Sequence, residues 1–168
     1  MNTNELFSRL TNDAAYLIDE AQALMLVIDV VPVAEKRGGI ESMLDMIYLI
    51  DHAQQTYYRP LIEKIFSLPD PNAATQDFRK TVDYDAQLHE SPAAVLKSII
   101  ENRRSFVDYL KAIGQDHILK TGIINSEEQS IAGLLQEMIA FERQQLKLVA
   151  ERVLSIDRSK QEQGKPGL

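Results

Sequence analysis

Residues 4–31 carry Phe7, Leu10, Ala14, Leu17, Ala21, Leu24, Ile28 and Val31 at alternating three- and four-residue steps, the spacing that lines one face of an α-helix. This stripe predicts a first helix that Pro32 ends. VAEKRGG follows as a loop. From about Ile40 the apolar positions resume, and Met43, Met46, Ile47, Ile50, Tyr57, Leu61 and Ile65 fall on one side of a second helix. Pro60 sits inside that helix and predicts a kink or a break.

The next stretch, LPDPNAATQDFRKTVDYDAQLHE, is rich in Pro, Asn and Asp and holds no sustained period. It reads as a long crossover with room for a short helical turn. A third helix opens at SPAAVLK, where Ser91 can cap the free amides and Pro92 suits the first helical position, and Gly114 closes it. The fourth is expected to open at NSEEQS, with Ser126 and Gln129 at capping-box spacing and Glu127 and Glu128 favouring the helix dipole, and to run to about Arg158. Four amphipathic helices, short outer links and one long crossover between helices two and three define an all-α four-helix bundle. No alternating β-branched run argues for a sheet. The bundle is expected to occupy residues 1–158, leaving 159–168 as a flexible polar tail.

Polar residues interrupt two of the stripes. Projected at 100° per residue, Arg103 points from the middle of the apolar arc formed by Leu96, Ile99, Ile100, Phe106, Val107 and Leu110. Glu142 does the same among Ile131, Leu135, Met138, Leu146, Val149 and Val153, with Gln145 beside it. A lone buried charge is too costly to keep, so Arg103 and Glu142 are expected to meet, with Gln145 or a tyrosine taking the spare donors. The competing arrangement tilts the helices and lets both side chains reach the rim.

Composition narrows the chemistry. The 168 residues suit one domain, and the net charge of −7 disfavours a nucleic-acid partner. There is no cysteine, hence no disulfide, thiolate metal site or thiol nucleophile. The chain starts without a signal-peptide pattern, and no apolar stretch is long enough to span a membrane, so a cytoplasmic protein is expected. His52 falls opposite the apolar stripe of helix two, His89 at the end of the crossover and His117 in the last link, none with a ligand-spaced partner. TYYRPL and RSFVDYLKA have the spacing of core aromatics, EKRGG lacks the preceding strand of a phosphate loop, and no Ser/His/Asp set can be assembled.

The piece SIAGLLQEMIAFERQQLKLV, residues 130–149, resembles the last helix of the DinB/YfiT-like superfamily of metal-binding four-helix bundles. Ile131, Leu134, Leu135, Met138, Leu146 and Val149 match that family's apolar positions, and Glu142-Arg143 its acidic-basic pair. The family's H-x-x-x-H histidines fall on Phe141 and Gln145. Met43, Met46, Ile47 and Ile50 likewise match the helix that bears its third histidine, which falls on Leu49, with His52 a turn too late. SPAAVLKSIIENRRSFVDYLKAI is similar to its third helix.

The resemblance implies the family's fold without its metal. Leucine and phenylalanine cannot coordinate, and one Gln carbonyl is a poor ligand. The expected reading is a non-catalytic, cofactor-free homodimer with any small-ligand pocket at Leu49, Arg103, Phe141, Glu142 and Gln145. The alternative is a metal-dependent hydrolase or thiol-transferase-like enzyme with relocated ligands, His52 and Glu142 among them. A third reading is a structural interaction module.

Overall fold

The computed structural model describes residues 1–36 and 39–164. Arg37, Gly38 and 165–168 are outside the described residues, and with them part of the 35–39 loop and the end of the expected tail. Helix α1 (Thr3–Val27) is capped by a reciprocal Asn2–Glu5 box and buries Leu10, Ala14, Leu17, Ala21 and Leu24. It ends four residues before Val31. The amides of Val30 and Val31 both turn back onto the Val27 carbonyl, which closes the helix ahead of Pro32.

Helix α2 (Met43–Ala53) begins at a second capping box, Ser42 with Asp45, that the apolar pattern alone did not single out. The expected disturbance at Pro60 takes a definite form. Residues Gln54–Tyr58 make a π-helical turn in which Arg59 N–H bonds the Gln54 carbonyl, and α3 (Arg59–Ser67) continues from it. Pro60 has no N–H for the Thr56 carbonyl, and its ring crowds that group; the widened turn accommodates it without ending the helix. Thr56 Oγ1 donates to the His52 carbonyl at 2.7 Å inside the same stretch.

The crossover holds β1 (Asn72–Ala73), α4 (Phe78–Thr81) and a 3-10 turn at Tyr84–Gln87. Helix α5 (Pro92–Ile113) starts at the Ser91 cap and stops at Gly114, whose φ of 77° lies in the left-handed region. With α1, the α2–α3 unit and α6 (Ile131–Gln163), it completes a four-helix bundle with an apolar core.

Two expectations fail between α5 and α6. Ser126 is not a helix cap: Thr121–Ile124 (β2) and Glu127–Ser130 (β3) form a hairpin, joined to β1 in a three-stranded sheet where none was expected. Asn125 and Ser126, with φ of 50° and 71°, are its two-residue turn, the left-handed pair that matches strand twist. The helix starts four residues later, with Ser130 Oγ accepting from Gly133 N–H at 2.9 Å, and it continues past Arg158 to Gln163. Lys120 pins the hairpin to the end of α3 by donating to the Phe66 and Leu68 carbonyls at 2.8 and 3.0 Å. Gly122 lies so close to the chain before β1 that an added Cβ would be 2.9 Å from Pro71 Cγ.

The two serines give a direct check. Ser130→Ala should cost about 1 kcal/mol in a urea melt through the lost cap. Ser126→Gly should be neutral or slightly stabilising, because glycine adopts the positive φ freely. The reverse ranking would restore Ser126 as the cap.

Candidate functional site

Arg103, midway along α5, is completely buried. Its guanidinium reaches all three other arms of the bundle. Nε donates to Gln54 Oε1 in the π turn, Nη1 to the Ala14 carbonyl of α1 at 2.9 Å and to Glu142 Oε2 of α6 at 3.1 Å, and Nη2 to Glu142 Oε1. Arg103 and Glu142 therefore meet as a bidentate pair. The spare donors go to Gln54 and a backbone carbonyl, not to Gln145 or a tyrosine as expected from the sequence. Gln145 is half-buried. Gln54 is fully buried and enters the core from the π turn, and its Nε2 finds no acceptor among the described residues.

Leu49 and Phe141, which the sequence resemblance sets on the family's ligand positions, are buried. The Phe141 ring lies 4.9 Å from that of Phe78, the first residue of α4, which also packs on Tyr57 and Tyr58 at 5.6 and 5.8 Å. The Arg79 guanidinium rests over Phe78 and Phe141 at 4.6 and 5.0 Å. The crossover thus lays an aromatic and a cation across this part of α6. A cleft of about 260 Å³ beside it is lined by Tyr57, Asp77, Phe78, Arg79, Asn125 and Glu137. Tyr58 donates to Glu137 Oε1 at 3.2 Å, and burial together with that carboxylate pushes the phenol pKa up.

His52 is half-buried, not on an open face. Its Nε2 is 2.9 Å from Thr81 Oγ1, which also lies 3.2 Å from the Phe78 carbonyl. Burial lowers its pKa. His117 Nδ1 faces the Ile113 carbonyl at 3.0 Å, while His89 is exposed. Among the described residues no three His, Cys, Asp or Glu side chains gather as a metal cage. His52 is engaged with α4, and both Glu142 oxygens are committed to Arg103.

One titratable group carried no sequence signal. Asp51, on α2, accepts from Asn102 Nδ2 at 3.3 and 3.0 Å. Burial pushes its pKa up to about 6, against the opposing pull of Asn102, the Arg103 charge and Gln55. It opens on a second cleft, of about 230 Å³, between α2, the 3-10 turn and α5.

The helix order, with the long crossover between the second and third arms, is that of a four-helix bundle. Among solved structures the chain is similar to YfiT from Bacillus subtilis, described as a probable metal-dependent hydrolase with an unusual four-helix bundle topology. The two align with a TM-score of 0.71 at 9% identity, over 91% of this chain and 90% of YfiT. No family model matches the sequence, and no curated protein is detectably similar to it. The likeness is one of fold. At the positions that the sequence resemblance sets on the family's histidines, the residues do not fit a metal: a leucine, an aromatic ring and a lone amide at Leu49, Phe141 and Gln145 supply no imidazole or carboxylate.

Asp51 gives a pH test. A carboxyl whose folded pKa lies above its ordinary 3.8 favours the fold while protonated; that contribution is full below about pH 4 and is lost as pH rises through about 6. Asp51→Asn should therefore be more stable than the parent at pH 7.5, by roughly 1–3 kcal/mol, and the gap should close near pH 4. Paired denaturant melts across this range read the difference, and a variant less stable at pH 7.5 would contradict the assignment.

Proposed function

We propose that this chain is a DinB/YfiT-like bundle that has lost the family's metal site and acts without catalysis, as a cytoplasmic binding protein that holds a small ligand between its helices. The observation that carries the reading is the identity of the side chains at the ligand-matching positions. Leu49, Phe141 and Gln145 offer no coordinating set, and Phe78 packs against Phe141. Glu142, the acid nearest in sequence, already answers the Arg103 charge. Recruiting it to a metal would strand a buried guanidinium, at a cost of several kcal/mol. A hydrolytic metal centre also needs an open coordination position with room for water, whereas Phe141 is buried under an aromatic contact.

We further propose that the protein works as a homodimer. Support comes from an apolar cleft between α1 and α6, lined by Leu24, Val27, Leu146, Val149, Val153 and the exposed Leu154. Contiguous apolar surface of this kind is commonly covered by another subunit.

Protein purified without a metal-affinity tag should contain zinc, nickel and iron far below one equivalent per chain, and a chelator should leave its thermal midpoint unchanged. Stoichiometric metal that disappears in His52→Ala would replace this reading with the relocated-ligand enzyme. Light scattering at twice the chain mass is expected for the dimer, and a monomer at all concentrations would remove that part.

A further inference from the structure

The second cleft is walled by α2 and α5 and roofed by the 3-10 turn of the crossover; Tyr48, Asp51, Gln87, Glu90, Ser98 and Ile99 line it. Its polar groups are mostly acceptors. Asp51 and Glu90 bring carboxylates, and Asp83 adds to the negative field at the Tyr48 hydroxyl, whose pKa is raised by burial first and by those three acids after it.

Gln87 supplies the independent sign of a ligand. It is 6% exposed, its Nε2 donates to Asp45 Oδ1, and its Oε1 has no partner among the described residues. The amide cannot be turned around to relieve this. Asp45 presents oxygens that accept, one from Gln87 and the other from Ser42 N–H at 2.9 Å, so the nitrogen must face Asp45 and the carbonyl oxygen must face away. A buried carbonyl oxygen without a donor costs on the order of 1–3 kcal/mol. Asp51, which lines the same cleft in a setting where burial resists ionisation, adds to that cost. Paired costs in a cleft mark a site built for something else.

We infer that this cleft binds a small organic cation with N–H donors, a primary ammonium or guanidinium group, held between Gln87 Oε1 and the carboxylates of Asp51 and Glu90. A positive group answers the acids, and its N–H bonds answer the orphan oxygen. A compact metal ion fits less well, because no three His, Cys, Asp or Glu among the described residues converge to hold one. Tyr48, which lines the cleft, offers an aromatic ring that also suits a cation. The volume of about 230 Å³ holds roughly the space of eight waters at about 30 Å³ each, which limits the ligand to a small molecule or one side-chain-sized group. The site is independent of the metal question: its residues are distinct from Leu49, Phe141 and Gln145, and it stands whether metal analysis finds zinc or not.

Methylguanidinium and n-butylammonium, titrated at pH 7.5 into the full chain, should shift the side-chain amide signals of Gln87 and Asn102 in a saturable way. Asp51→Asn should weaken binding at least tenfold while remaining folded, and Gln87→Met, which keeps the length and removes the acceptor, should also weaken it severalfold. Tetramethylammonium, equally charged but without N–H bonds, should leave the Gln87 signal in place. The proposal is overturned if neither probe saturates, which would leave water alone on Gln87, or if tetramethylammonium binds as well as methylguanidinium. Unchanged affinity in Gln87→Met, or calcium moving the same signals in preference to both probes, would overturn it too.

Discussion

The bundle is organised around one guanidinium that cannot reach water. Arg103 is fully buried, so its N–H groups must find acceptors inside the protein, and they do so on each of the other three arms: Ala14 O, Gln54 Oε1 and the Glu142 carboxylate. Apolar stripes alone tolerate helices that slide or rotate by part of a turn. A planar fork with donors in fixed directions does not. The ion pair adds little net stability over a well-packed apolar substitute, but losing one partner is severe, and this asymmetry selects one arrangement of the four arms.

That constraint reaches into function. Gln54 enters the core at the π turn ahead of Pro60, so an irregularity in the second arm also serves the interior. Glu142 lies between Phe141 and Gln145, the two positions that the sequence resemblance sets on histidines, and both its oxygens face Arg103. On the far side of Phe141 the crossover contributes Phe78 and Arg79. The fold is close to that of YfiT at a TM-score of 0.71, while the side chains at those positions make a packed, paired interior. A shared bundle can carry different chemistry, because the chemistry belongs to the site.

The helices were legible because burial follows the 3.6-residue period: Leu10, Ala14, Leu17, Ala21 and Leu24 are all buried. The inward aim of Arg103 and Glu142 was legible on the same projection. Their further partners were not, since Gln54 reaches the core only through a π turn that shifts the wheel, and no side-chain rule anticipates a backbone carbonyl such as Ala14 O. At NSEEQS two local signals compete. The Ser126–Gln129 spacing suits a capping box, but Asn125 and Ser126 also suit a left-handed turn, and β2 buries Gly122 and Ile124 by pairing with both β1 and β3. Pairing with a distant two-residue strand leaves no trace in a local window. Asp51 and Gln87 were hidden for the same reason: their roles depend on neighbours from other elements, Asn102 and Asp45.

A double-mutant cycle on Arg103 and Glu142 tests the central claim most directly. Arg103→Met and Glu142→Leu, each alone, should strand the opposite charge in the core and cost about 3–5 kcal/mol in urea melts, whereas the double variant should come close to the parent. The coupling between the two positions would then be large. If each single change costs less than about 1 kcal/mol and the two effects simply add, Arg103 and Glu142 are ordinary surface charges and the bundle is not organised around them.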